Sequence, residues 1–473
     1  MNAPHEVNTP REVSVPREAS VLRDLLRLAT PVLISQLAVM ANGVVDTLMA
    51  GWLSATDLAS IGLGTSIYII AYVSLLSVLM GLSPIAAQHY GAQRFAAIGV
   101  AFRQSILLAL GLGVVGAALL LQTDLWLGLS APPPEVASRV ADYLQWCALG
   151  VVPALLVRAF SALCTAVSLP RIVMWINLGM LLLKVPLNAA LMYGVDAVGL
   201  EGLGAPGAAC STCILSFAAA GTALLLARKD RRLEAFGLRG SLRPQSAQLR
   251  ELLAIGLPIG GTAFVDVSAF ASIALLVAQF GQVASASQQI ASSLTGVVYM
   301  FSLALASATM VLTAQRLGAG KLREARAVAY TGLRAALAVA AVLAAALWLA
   351  RNILAAAYTS DSAVRDAAIP LIGLLAVYQA LDSLQLQYAF VLRAHKRTAL
   401  PFWIYVGSLW GIGLGGGAWL TFHAFAGLIH DARAFWWAGI AACAVASMAL
   451  GALCARTWQD AAAGGEQPRR SFV

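Results

Sequence analysis

The chain is a succession of long apolar stretches, each closed by a short polar or charged segment. Twelve of them reach the roughly 20 residues that carry a helix across a bilayer: Leu28–Ala50, Leu58–Met80, Gly99–Leu121, Val140–Ala162, Ile172–Tyr193, Ala205–Ala227, Leu252–Gln279, Ala286–Leu312, Val328–Ala350, Ala367–Val391, Leu400–Phe422 and Ala434–Ala455. Their apolar runs are too continuous for the alternating pattern of a barrel strand. Lipid offers the backbone no hydrogen-bond partner, so each is predicted as a membrane-crossing helix. Three carboxylates break the pattern, Asp46, Asp266 and Asp382, each deep inside one of these stretches. An ionised group in hydrocarbon is costly unless it is paired or faces water, so an intramembrane acid points to ions, protons or cationic substrates.

The pattern also repeats. Pro31 and the run Ala87-Gln88-His89-Tyr90-Gly91-Ala92 return as Pro258 and Ala314-Gln315-Arg316-Leu317-Gly318-Ala319, both displaced by the same 227 positions. The predicted fold is therefore all-α, with twelve transmembrane helices in two six-helix lobes. The expected division is a tail over 1–27, an N-lobe over 28–227, a linker over 228–251, a C-lobe over 252–455 and a second tail over 456–473. Six is even, so both lobes enter the membrane from one side and should be related by a pseudo-twofold axis along its normal. Parallel-repeat transporters have this arrangement, with their site between the halves.

Composition sharpens this. Hydrophobic residues make up 60% of the chain and charged ones 11%, and the mean hydropathy is +0.80, outside the soluble range. A net charge of +9 invites a nucleic-acid reading, but placement argues against it. Of 31 Lys and Arg, only Arg139, Arg351, Arg365 and Arg433 fall in one set of alternate loops, and Lys184 lies within a span. The rest gather on the other side, as in Arg228, Lys229, Arg231 and Arg232, or Arg393, Lys396 and Arg397. This bias predicts an inner-membrane protein with both termini in the cytoplasm. The first twenty or so residues hold no apolar core before a cleavage site, so no removable signal peptide is expected. The six cysteines lie in or beside spans, and Cys210-Ser-Thr-Cys213 has no redox context there, which marks them as small packing residues.

Helical spacing sorts the buried polar residues onto faces. Ser35, Asn42 and Asp46 share one face of the first helix, and Asn177, Lys184 and Asn188 repeat that spacing in the fifth. Tyr378, Asp382 and Gln385 share a face of the tenth helix, and Thr262 stands one turn before Asp266 in the seventh. Such stripes must face a cavity or another helix. Blander roles exist: helix-to-helix hydrogen bonds for the acids, an interfacial position for Asp46, and outward snorkelling for Lys184.

These residues resemble the multidrug and toxin extrusion (MATE) family, NorM-type branch. The resemblance rests on Val45-Asp46-Thr47-Leu48-Met49-Ala50-Gly51 with Leu53-Ser54-Ala55, on Gln88 to Gly91, on Pro186-Leu187-Asn188 with Tyr193-Gly194, and on Tyr378-Gln379-Ala380-Leu381-Asp382. It spans residues 28 to 455. It implies two lobes around a cleft that exchange cationic and amphipathic drugs for sodium ions or protons. Asp46 matches the family's N-lobe acid, with Asn188 and Thr212 at neighbouring polar positions. Tyr378 and Asp382 match its C-lobe cation site, and Asp266 stands where the branch usually has glutamate. Sodium, if carried, would bind at Asp266, Tyr378 and Asp382; no cofactor is implied beyond the coupling ion. Two departures matter. Lys184 replaces a polar amide, and an ammonium beside Asp46 competes with sodium and favours the ionised carboxylate. Ser287-Gln288-Gln289 replaces a frequent histidine, so a histidine relay is not expected.

The expected activity is drug–cation antiport by alternating access, performed by a monomer in the lipid bilayer. Asp266 and Asp382 are its exchange site, and Lys184 paired with Asp46 is an internal cation. A flippase for a lipid-linked precursor is the alternative, but it would need several basic residues inside the cleft, and the spans hold Lys184 with Arg158 only near an end. An enzyme is not expected, since His5, His89, His395, His423 and His430 are scattered over tails, loops and span ends.

Overall fold

A computed structural model describes residues 18–130, 132–195, 199–422 and 432–464; His5, His423 and His430 lie outside them. Among the described residues, twelve helices are long and apolar enough to cross a membrane: α1 Glu18–Leu53, α2 Ala55–Gly91, α3 Phe95–Leu120, α4 Pro134–Ala166, α5 Pro170–Tyr193, α6 Ala205–Lys229, α7 Ser246–Ala278, α8 Gln282–Gly318, α9 Leu322–Tyr358, α10 Ser362–Ala394, α11 Ala399–Phe422 and α12 Arg433–Ala463. Between α5 and α6 a small antiparallel hairpin pairs β1 Gly194–Val195 with β2 Leu200–Glu201.

Most helices overshoot their apolar cores, because hydropathy marks lipid contact and not protein contact. α1 starts at Glu18, ten residues before its apolar run. Its first turns are held by Val21, Leu25 and Leu28 packing on Leu305 and Leu312 of α8 and Val328 of α9, with Glu18 paired to Arg334. Caps fix several starts: Ser54 accepts from the Asp57 amide at 3.0 Å to begin α2, and Asp361 from the Ala363 amide at 2.8 Å to begin α10. Within α5 and α11 the winding loosens to π-helix, over Ala189–Tyr193 and Val406–Gly416. Several glycines supply the slack in the second stretch. All six cysteines are free and buried.

α1–α6 and α7–α12 form the two lobes. All helices run between two faces: a basic face, which carries the start of α1, the α6–α7 linker and the end of α12, and an opposite face. On the basic face Asp230 caps the short helix Arg231–Glu234, and its hydrogen bond from Arg232 holds the carboxyl below the usual carboxylate range. On the opposite face buried Asp57 gathers Arg139, Ser54 and the Ala205 amide, tying α2, α4 and α6.

The lobes touch unevenly. One core cluster contains residues of both, including Leu82, Ile85 and Phe160 from the N-lobe with Leu252, Met310 and Phe390 from the C-lobe, all toward the basic face. Toward the opposite face the two lobes have separate clusters, around Tyr143 and Leu144 and around Leu371 and Trp436. The repeated motifs make the joint. Gln88 donates to the Ala394 carbonyl at 2.8 Å, and Gln315 donates to the Ala166 carbonyl at 2.8 Å. Gly91 packs on the Gln315 backbone and Gly318 on that of Gln88, where any Cβ would collide. The lobes are thus joined at the basic face, and toward the other each keeps its own core.

Candidate functional site

In the N-lobe, α1, α5 and α6 bring together the polar residues that the spacing had placed on separate faces. Lys184 is 1% exposed, and its ammonium lies 3.0 Å from Asp46 Oδ1. It also donates to Ser211 Oγ at 3.0 Å, to the Ala208 carbonyl at 3.1 Å and to Thr212 Oγ1. Asn188, one turn beyond Lys184, donates to Asp46 Oδ1 at 2.6 Å and accepts from Ser211. An ammonium has three protons to give, and here four oxygens surround it. Hard monovalent and divalent cations seek such an oxygen cage, and in this chain a tethered amine fills it. Ser211 is the member that sequence reasoning missed. Its only signal was its place beside Thr212, inside a helix whose facing could not be fixed from spacing.

The remaining N-lobe stripe residues act in packing. Asn177 donates to Ser35 at 2.6 Å across α5 and α1, and Asn42 turns back to its own helix at the Ala38 carbonyl. Tyr193 donates to the Met49 carbonyl at 2.8 Å and ties the π-helical end of α5 to α1.

The C-lobe is built differently. Asp266 on α7 and Asp382 on α10 are partly exposed inside the lobe, and among the described residues neither accepts a hydrogen bond nor joins an ion pair. They lie within electrostatic range of each other and of Tyr299 on α8 and Tyr405 on α11. Tyr378, one turn from Asp382, turns toward α12, its ring edge-on to Trp436 with centroids 5.7 Å apart. Trp436 in turn donates to Gln288 Oε1 at 2.9 Å. These three, with Phe270, Phe435 and Cys443, line a cavity of about 40 Å³. Gln288, from the segment where a histidine was not found, therefore orients an aromatic wall.

A buried polar seam joins α8 to α10. Gln379 donates to Ser302 at 2.9 Å, Ser302 to Ser383 at 3.1 Å, and Gln387 to Thr309 at 2.7 Å. Among the described residues the acceptor oxygens of Gln379, Gln385 and Gln387 have no partner, which in so buried a site calls for bound water. Between the equivalent N-lobe helices, α2 and α4, the polar contacts stand elsewhere: Thr65 meets Tyr143 at 3.2 Å and Ser83 donates to the Ala162 carbonyl at 3.4 Å. With the 227-residue shift, Ser302, Thr309 and Thr313 stand where α2 has Leu75, Leu82 and Ala86. Ala166 and Ala394, the two carbonyls taken by the repeated glutamines, set the shift between α4 and α10. On that register Gln379, Ser383 and Gln387 stand where α4 has Val151, Leu155 and Ala159.

Arg393 departs from its place in the sequence reading. Charge counting groups it with Lys396 and Arg397, yet its guanidinium lies over the Phe390 ring at 4.2 Å, within the C-lobe. With Thr262, Thr398 and Tyr405 it lines a small cavity below the carboxylates.

Comparison with known proteins agrees with this architecture. The MatE family model matches twice, over residues 31–190 and 258–419, once in each lobe. A probable multidrug resistance protein NorM of Aromatoleum aromaticum is 36% identical over 431 residues, covering 90% of this chain and 92% of that one. The multidrug resistance protein PmpM of Pseudomonas aeruginosa is 35% identical, covering 83% of this chain and 82% of its own length. Among solved structures, the eukaryotic MATE transporter AtDTX14 superposes with a TM-score of 0.85 at 17% identity, covering 95% and 98% of the two chains. The VcmN transporter of Vibrio cholerae, in its bent form, gives 0.81 at 17% identity, covering 94% and 98%. With a duplicated helical frame, acids inside the spans of both lobes and these relatives, the chain belongs to the MATE family of multidrug efflux transporters.

Proposed function

We propose that this transporter exports small cationic and amphipathic compounds in exchange for protons or sodium ions, with Asp266 and Asp382 as the exchange site. The observation that carries this reading is the contrast in compensation: Asp46 is held by Lys184 and Asn188, whereas Asp266 and Asp382 have neither ion pair nor hydrogen bond among the described residues. A carboxylate inside a membrane span and without a partner is costly when ionised, so it favours taking up a cation or a proton, and a second acid within electrostatic range favours it further. A cationic drug and the coupling ion then compete for the same charge, which is the logic of exchange. Tyr378 and the aromatic cavity beside it give an amphipathic cation a ring surface. Lys184 supplies a permanent internal cation to the N-lobe and leaves coupling to the C-lobe.

The basic face is read as cytoplasmic, on the bias of Lys and Arg toward it, which puts the protein in the inner membrane with both termini inside; each chain holds both lobes, so a monomer suffices for exchange. Driving forces limit the exchange. A potential of 100 mV supplies about 2.3 kcal/mol per charge and a tenfold ion gradient about 1.4 kcal/mol. One-for-one exchange with a singly charged drug cancels the potential and leaves the gradient alone.

The test is ethidium efflux from proteoliposomes with a proton gradient and a sodium gradient imposed separately. Wild-type protein should respond to one of them, and Asp382→Asn to neither, while remaining folded in the membrane. Undiminished efflux by Asp382→Asn would sink the assignment.

A further inference from the structure

Asp382 belongs to a longer stripe than its sequence motif shows. Steps of four, three, four and four residues along α10 carry Tyr378, Asp382, Gln385, Ala389 and Arg393 down one face toward the basic face. Opposite this stripe stand Asp266 and Thr262 of α7, Tyr299 of α8 and Tyr405 of α11. Gln385 is 1% exposed, contacts Tyr405, and has an acceptor oxygen with no partner among the described residues. Below it lies the cavity between Thr262, Ala389, Arg393, Thr398 and Tyr405, about 10 Å³ in volume. That is the size that holds a single water. Polar groups therefore run inside the C-lobe from the carboxylate pair to the basic face, separately from the joint that the two lobes close between Gln88 and Gln315.

Arg393 stands at the basic end of that run. Among the described residues its guanidinium has no ion pair and no hydrogen bond, unlike Arg232, Arg316, Arg334 and Arg397 near the same face, each of which meets a carboxylate. Its ring contact is with Phe390 at 4.2 Å, and its charge acts on Asp266, Tyr299 and Tyr405. An arginine is charged at any physiological pH. A fixed cation in a narrow polar passage repels protons and metal cations, as it does in water-selective pores.

We infer that Arg393 is a positioning residue for coupling: a charge barrier that keeps the Asp266–Asp382 pair from exchanging its cation with the basic face while the lobes are closed there. The inference rests on the exchange site proposed above. It means that tight coupling depends on a charge within the C-lobe as well as on the joint between lobes.

The experiment is a drug-free leak measurement. Proteoliposomes holding the full chain and a pH-sensitive dye receive a pH step, and parallel vesicles receive a sodium step read with a sodium-sensitive dye. Wild type should be tight. Arg393→Gln should leak the coupling ion at least about tenfold faster, the scale of one unit charge acting across a protein interior. Arg393→Lys, which restores the charge, should be tight again, and adding Asp382→Asn to Arg393→Gln should remove the leak. Arg393→Met, which keeps a long chain over Phe390, serves if the glutamine variant does not fold. A variant that melts like wild type yet stays tight overturns the barrier, as does a leak that survives Asp382→Asn. Ethidium efflux by the same vesicles tests the exchange site on its own. Wild-type efflux lost in Asp382→Asn but tight Arg393 variants would retain the site and reject the barrier.

Discussion

The N-lobe and the C-lobe share a frame and differ in what they do with buried charge. Pro31 and Pro258, Gln88 and Gln315, and Gly91 and Gly318 occupy equivalent places, and each glutamine reaches a carbonyl of the opposite lobe at the same 2.8 Å. Inside the N-lobe one ammonium and one carboxylate lie 3.0 Å apart within a cage of hydroxyl, amide and carbonyl oxygens. Inside the C-lobe two carboxylates share no such partner, and the helices beside them carry glutamine and serine where the N-lobe carries valine and leucine. Duplication has kept the packing that joins the lobes and let the interiors diverge. One lobe is electrically closed, and the other is left with charge to exchange.

The comparison breaks most visibly at Lys184. Lys184→Met leaves Asp46 buried with only Asn188 for company, and removing one partner of a buried pair costs about 3–5 kcal/mol. The melting temperature in detergent should fall sharply, and the double variant Lys184→Met, Asp46→Asn should recover most of the loss because no charge is left unpaired. Lys184→Asn asks the same question of function. It opens the oxygen cage to a free cation, so sodium should raise its melting temperature by more than it raises that of wild type, whose only open site is the C-lobe pair. A sodium response equal in both proteins would mean that the ammonium does not fill the cage.

Much of this frame was legible in the sequence, because crossing lipid imposes a length and a hydropathy that no other constraint erases. The duplication was legible as well, since Pro31, Gln88 and Gly91 recur at one shift. Lys184, Asn188 and Asp46 could be placed on helix faces by spacing, and the structure brings those faces together. Ser211, Tyr299 and Tyr405 could not, for they are ordinary span residues whose role depends on how a neighbouring helix is rotated. Arg393 was misplaced for a related reason. It sits three residues before Lys396, so charge counting reads it as a loop residue, whereas α10 runs on to Ala394 and keeps it inside the lobe. The first turns of α1 were missed because their partners are α8 and α9 and not lipid.

The seam between α8 and α10 gives an intermediate effect. Thr309→Val removes the acceptor of Gln387 and leaves that amide unpaired among fully buried neighbours. An orphaned buried polar group costs about 1–3 kcal/mol, while exchanging both partners for apolar groups is nearly neutral. Thr309→Val should therefore lower stability, and Thr309→Val with Gln387→Leu should regain it by copying the apolar pair Leu82 and Ala159 of the N-lobe. If the double variant is stable but transports poorly, the seam serves the exchange site and not the packing.

The smallest effect tests the frame itself. After α2 the chain turns at Gln93 with φ 58°, and after α8 the equivalent turn falls on Gly320 with φ 74°. Both residues follow the repeated Gly-Ala step by one position. Glycine enters this left-handed region without strain, and a residue with a Cβ pays roughly 1 kcal/mol to do so. Gln93→Gly should raise the melting temperature slightly, by up to about 1 kcal/mol of stability, since the added chain entropy offsets part of the relief. Gly320→Gln should lower it by a similar amount. If the two substitutions differ widely, the turns are not equivalent, and the likeness between the lobes stops at the helices.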